Sequence, residues 1–323
     1  ATMAHTETLD VINVTNNAVT GTLTIANGTF VDGDTLNIVG AGSVNVTGLV
    51  GDVNASTQTG ELNVVSVDDV SIITGSSNVQ VTSNVSAKTA AVNADQMADG
   101  TTLTTLGSGN LTITNLTANL TNTGTGTNTV TLRDDAPGVG VVDTTITSST
   151  AITVNNGSFD YNDLINLAGA GAKTLNSVMA DVNAAGSTGT VNIASTGDAT
   201  DNAISVTTGS AATSVNGNAA SDTISINAED LADGTLLTTS GTSNITVTNL
   251  LGNMTNTASG TNLVTLDDDN AASKNVSIAS STAMTVANGS FDADDTINLS
   301  GAGAYTVTGL EATLNATSTS TLN

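Results

Sequence analysis

Cysteine and tryptophan are absent from this 323-residue chain, and proline and histidine occur once each. Without cysteine there is no disulfide staple and no thiolate metal site. The lone histidine, His5, cannot build a multi-histidine metal centre, and a Ser-His-Asp triad needs a positioned imidazole rather than one near a terminus. Aromatics are 2%, three Phe and two Tyr. A wide globular core, which draws much of its volume from aromatics and Leu, has little to be built from. Bases are nearly missing too: Lys88, Arg133, Lys173 and Lys274 face 29 acids, for a net charge of −25. Nucleic acid is excluded as a partner, because neutralising phosphate takes Lys and Arg, and anionic membrane surfaces are disfavoured for the same reason. No run approaches the roughly 20 apolar residues of a membrane span, so no membrane insertion is expected. No signal peptide opens the numbering. The expectation is a mature or excised segment, or export through a signal elsewhere.

What is present is repetition. One block is written five times, first as Ala26-Asn27-Gly28-Thr29-Phe30-Val31-Asp32-Gly33-Asp34, then Thr35-Leu36-Asn37-Ile38, Gly40-Ala41-Gly42 and Val44 to Leu49. The column of Phe30 continues as Met97, Phe159, Leu231 and Phe291, that of Gly40 as Gly107, Gly169, Gly241 and Gly301, and that of Leu49 as Leu116, Val178, Leu250 and Leu310. All three columns share the offsets 67, 62, 72 and 60. Three columns in step mark a tandem repeat.

Between the columns run short alternating stretches such as Leu23-Thr24-Ile25, Val44-Asn45-Val46 and Val79-Gln80-Val81. They are rich in β-branched residues and bounded by Gly, Asn, Asp or Ser, which is the strand signal at period two. Helical periodicity never exceeds about two turns, although Gln96 to Ala98 and Glu229 to Ala232 each have room for a single turn. Pro137 falls in a loop. Separate β-sandwiches would need about 100 residues each. The predicted fold is therefore an all-β β-solenoid with about 20 residues per turn and about three turns per repeat. Residues 1–10 read as a tail or linker. Residues 11–323 read as a continuous solenoid whose repeats are headed near 26, 93, 155, 227 and 287. Stacked Asn and Thr are expected to bond along its axis. At the end, Leu314-Asn315-Ala316 matches Val53-Asn54-Ala55 and Val182-Asn183-Ala184, but the strand that follows those stops at Asn323. The expectation is a longer array, or a chain that joins end to end with copies of itself.

Acids stand next to the Phe30 column: Asp32 and Asp34; Asp99; Asp160 and Asp163; Asp230 and Asp233; Asp292, Asp294 and Asp295. Asp267, Asp268 and Asp269 form another run. Calcium takes about six to eight oxygens, and stacked turns of Asp, Asn and Gly can offer them. These thirteen residues are the candidate metal ligands; the competing reading is that Asp, Asn and Gly occupy turns for conformational reasons. Paired carboxylates also suit glycoside hydrolysis, yet no aromatic platform for a sugar accompanies them. The stretch Gly169 to Thr174 lacks the order of a phosphate loop. No catalytic residue is assigned. Thr-x-Thr pairs, Thr112/Thr114, Thr246/Thr248 and Thr306/Thr308, put two hydroxyls on one strand face, as an ice-binding surface would.

Blocks such as Asp295 to Leu310 resemble the β-strand repeats of secreted bacterial surface proteins, the surface-layer proteins and type I-secreted giant adhesins. The resemblance covers nearly everything from Val11 onward. It implies an extracellular, calcium-dependent, non-catalytic β-solenoid, although the paired-glycine nonapeptides of calcium-binding repeats are missing. The function expected from the sequence is a self-assembling structural protein of a surface layer, filament or adhesin stalk, with copies of itself as partner. The alternative is an ice- or polysaccharide-binding module.

Overall fold

Alternating β-branched residues favour extended backbone, and a turn every nine or ten residues prevents any strand from growing long. In the computed structural model, which describes residues 11–26, 30–134, 140–196, 203–268 and 273–323, every regular element is a strand of four to seven residues. The tail 1–10 with His5, the loop at Pro137, and Asp269 lie outside the described residues. Gln96 to Ala98 and Glu229 to Ala232 form tight turns that do not propagate: Met97 N–H donates to Ala94 O, and Leu231 N–H to Ala228 O.

Among the described residues, successive strands alternate between a 16-stranded and a 15-stranded sheet, and each strand pairs in parallel with the strand two places on within its own compact segment. This is the β-solenoid expected from the repeat. Turn length is uneven: Leu120 lies over Leu103 on one side and under Ile146, much further along the chain, on the other. From Ile12 to Val154 the ladder takes seven steps, roughly 20 residues each, as a two-sheet coil requires.

The chain divides into two compact segments, Ala1–Pro137 with Val142–Ser158, and Gly138–Val141 with Phe159–Asn323. In the first, Leu36, Val53, Ile72, Val92, Ile113, Val130 and Val154 stack on one another as a buried aliphatic column. In the second, Val206, Ile226, Val247, Val264 and Val286 do the same. Each such side chain contributes about 1.5–3 kcal/mol on burial. The Phe30 column, from Phe30 through Met97, Phe159 and Leu231 to Phe291, is buried as well.

Asparagines bond along the axis, as expected: Asn37 Nδ2 donates to Asn13 Oδ1 at 2.9 Å, Asn63 to Asn45 at 2.9 Å, and Asn183 to Asn166 at 3.1 Å.

The residue before the closing apolar position takes a left-handed conformation in every repeat: Gly48, Asn115, Ser177, Asn249 and Gly309 have φ between 55° and 68°. Strict alternation after Ile113 would turn Leu116 outward. The kink at Asn115 shifts the register and turns Leu116 into the core. Leu49, Val178 and Leu250 are buried beside equivalent irregularities, whereas Leu310 is exposed.

One expectation needs correction. Repeats with offsets of 60 and 62 span six strands, or three turns, but those with offsets of 67 and 72 span seven. Because strands alternate between sheets, an odd count moves the next block to the other sheet. In the first segment Thr35–Gly40 belongs to the 16-stranded sheet and its counterpart Thr102–Gly107 to the 15-stranded one. In the second, Leu164–Gly169 lies in the 15-stranded sheet, and Leu236–Gly241 and Thr296–Ser300 in the other.

Candidate functional site

Among the described residues, every Asp and Glu lies outside the strands or is the first residue of one, as at Asp52, Asp143 and Asp181. The strand faces are therefore free of acids and carry Thr, Ser and Asn, while negative charge is confined to the turns and strand starts.

The residue four places after each member of the Phe30 column has a local task. Asp34 Oδ2 accepts the Val31 N–H at 2.9 Å, Asp163 Oδ2 that of Asp160 at 2.8 Å, and Asp295 Oδ2 that of Asp292 at 2.8 Å. All three are buried, and their carbonyls accept N–H groups of the next turn, those of Asp52, Asp181 and Thr313. In the other two repeats Thr101 and Thr235 stand in this place and close the same turn through the carbonyls of Ala98 and Ala232. This column of acids closes turns.

The remaining candidates are more open. Asp32, Asp99, Asp230, Asp292 and Asp294 are exposed, and Asp160 is partly exposed and accepts the Asn162 N–H. Asp233 pairs with Lys274 at 2.8 Å. Asp267 accepts the Ser290 hydroxyl at 2.6 Å, and that hydroxyl oxygen in turn accepts the Asp268 N–H at 2.7 Å.

In the second segment Asp292, Asp294 and Asp295 come together, one carboxylate oxygen of each lying within 4.8 Å of the others. Asp292 Oδ1 accepts the Asp294 N–H at 3.1 Å. A hydrogen bond shared with Asp294 holds the Asp292 carboxyl below its usual range, and the same bond with Asp292 pushes Asp294 above it. Asp295 Oδ1 already accepts the Lys274 N–H at 2.7 Å. Both of its oxygens are therefore engaged with backbone, so Asp292 and Asp294 are the pair with more freedom to take a cation.

Three of the four bases meet acids across turns. Lys88 bridges Asp68 and Asp69, Arg133 meets Asp95, and Lys274 meets Asp233. The Lys88 ammonium lowers the Asp68 carboxyl, the Thr89 N–H and then Lys88 lower that of Asp69, and both carboxylates raise Lys88. Sequence reasoning missed these pairs, although Lys88 follows Asp69 by 19 residues, about one turn. The fourth base, Lys173, weighed in the sequence only within the discarded phosphate-loop pattern, stands in a column otherwise filled by Val44, Leu111, Ile245 and Tyr305.

An open groove of about 450 Å3 in the second segment is lined by Asn244, Ser259, Thr261, Met284, Thr285 and Thr306 among others, with no ionisable side chain. Hydroxyls do stack on the faces of the first segment, as Thr104, Thr121 and Thr147 on one sheet and Thr112, Thr129 and Thr153 on the other. The ladder brings non-equivalent threonines together on three consecutive turns. No helix of the described residues is long and apolar enough to cross a membrane. No family model matches the chain, and no curated protein or solved structure matches it either.

Proposed function

We propose that this chain is an extracellular structural segment of a bacterial surface layer, filament or adhesin stalk, self-assembling, stabilised by calcium at its acidic turns and without a catalytic role. The observation that carries this reading is the separation of negative charge from the strand faces: among the described residues the faces carry Thr, Ser and Asn, with acids only at the turns and strand starts. Like charges at turns repel neighbouring copies until cations screen or bridge them. Asp292 and Asp294 are the first candidates for such a bridge, with Asp295 behind them. Parallel ladders and stacked aliphatic columns supply stiffness, and the acid-free faces are able to lie against other material. Imaging the purified chain with calcium and then with a chelator tests the reading. Ordered sheets or fibres that dissolve in chelator are expected; dispersed particles under both conditions reject it.

The stacked threonines at Thr104, Thr121 and Thr147 and at Thr112, Thr129 and Thr153 support a second reading, a module that binds ice or a surface polysaccharide. Thermal hysteresis, or adsorption to an insoluble glycan, without assembly and unchanged by chelator would favour it over the first.

A further inference from the structure

Of the four bases, Lys173 alone has no carboxylate among the described residues within reach of its charge. It opens the strand Lys173–Val178 and is fully buried, in a column whose other members are Val44, Leu111, Ile245 and Tyr305. Its ammonium donates to the carbonyls of Gly169 at 2.7 Å and Gly171 at 2.8 Å, and to Ser187 Oγ at 3.1 Å. Ser187 passes its own hydrogen to the Gly189 carbonyl at 3.0 Å. Three N–H donors thus meet three neutral acceptors.

The strands around it, Leu164–Gly169, Asp181–Ser187 and Val191–Ser195, carry one charged side chain between them, Asp181. Asp181 opens the strand that Ser187 closes, roughly 20 Å away at the rise of an extended chain. The turns 170–172 and 188–190 contain no ionisable residue. A charge taken out of water without a counter-ion is disfavoured, and burial pushes this amine down from 10.5 to about 8. The charge is not needed for the turn itself. In the first repeat the equivalent carbonyl, that of Gly42, is met by the neutral amide of Gln58 at 2.5 Å.

We propose that Lys173 is a proton-linked stability device of the second segment: it carries a buried charge at neutral pH, sheds it in mildly alkaline water, and the segment tightens as it does so. The folded value lies below the unfolded one, so the unfolded chain binds more protons between about 8 and 10.5, and stability rises with pH through that window. From these two values the unfolding equilibrium falls about tenfold between pH 7 and pH 9. Tyr305, raised by burial, acts with the opposite sign and only above its ordinary value of 10.0.

The chain has three lysines, so 13Cε-lysine labelling of the full chain gives three signals to follow against pH. Both tyrosines, Tyr161 and Tyr305, lie in the second segment, so tyrosine fluorescence during urea unfolding in chelator follows that segment. One lysine signal is expected to titrate near pH 8 and to vanish in Lys173→Ile. The wild-type urea midpoint should rise from pH 7 to pH 9, and that of Lys173→Ile should stay flat. All three lysines titrating together near the ordinary lysine value, or a pH 7 to pH 9 rise that survives in Lys173→Ile, overturns the proposal. If the variant does not fold, the wild-type lysine titration decides by itself.

Discussion

Lys274 holds its ammonium 2.8 Å from a carboxylate oxygen of Asp233, with the lysine side chain 3% exposed and the aspartate 64%. One partner is nearly dry and the other wet, so the pair is worth more than a surface ion pair and less than a buried one. Asp233→Asn should lower stability by about 1–2 kcal/mol. Asp99→Asn, on an exposed turn, should stay within about 0.5 kcal/mol of wild type. Urea denaturation of the two variants side by side checks the difference, and equal midpoints would remove Lys274 as an anchor of its edge.

Asp295 gives both oxygens to backbone N–H groups, those of Asp292 and Lys274. Asp295→Ala leaves two donors without acceptors, that of Lys274 buried and that of Asp292 partly so, and should cost about 2–4 kcal/mol. Asp295→Thr copies the residue found at Thr101 and Thr235 and should be milder. Thermal melts of both variants in chelator test this without interference from bound metal. Equal losses would mean that the threonine turns are held by something other than this residue.

Gly107 and Gly100 both have positive φ, 96° and 74°. A Cβ at Gly107 would meet the Ser83 carbonyl oxygen at 2.0 Å, whereas one at Gly100 meets nothing within 4 Å. Gly100→Ala should therefore cost only the backbone term, about 1–2 kcal/mol. Gly107→Ala must also push two turns apart and should cost several kcal/mol or abolish folding. Circular dichroism melts separate the two outcomes.

Asp292 is held below and Asp294 above the ordinary carboxyl value because they share a hydrogen bond. The signs oppose. Asp292 contributes stability that is lost as pH falls through its lowered value. Ionising Asp294 opposes the fold as pH rises through its raised value. A bound divalent cation removes the repulsion, so cation affinity should begin to fall with pH at the raised Asp294 value, before an isolated carboxylate would weaken. Terbium luminescence titrated against pH is the measurement, with Asp294→Asn as the control. A pH dependence that survives in that variant places the cation elsewhere.

Much of the local chemistry was written in residue order. Alternating Val, Ile and Thr cut by Gly and Asn dictates short strands, and five copies in step dictate that those strands stack, because a thin aliphatic face is buried only against its own neighbours. The acidic turns were legible as turns. Their division of labour was not: Asp34, Asp163 and Asp295 look like Asp32, Asp160 and Asp292 in sequence, and only the direction of the backbone N–H groups makes the first three turn-closers. Long-range partners were hidden for a related reason. Turns vary in length: Thr105 bonds to Asn122, 17 positions on, and Asn122 to Ser148, 26 positions on. Spacing therefore does not fix which side chains share a level. The ladder does, and it set Lys274 against Asp233 and stacked Thr112, Thr129 and Thr153. Tertiary structure also decided the parity of each repeat, since six strands return a block to its own sheet and seven deliver it to the other. Composition set what the strands are made of; hydrogen bonds between turns, each needing a partner that only the coil brings near, decided what each residue does.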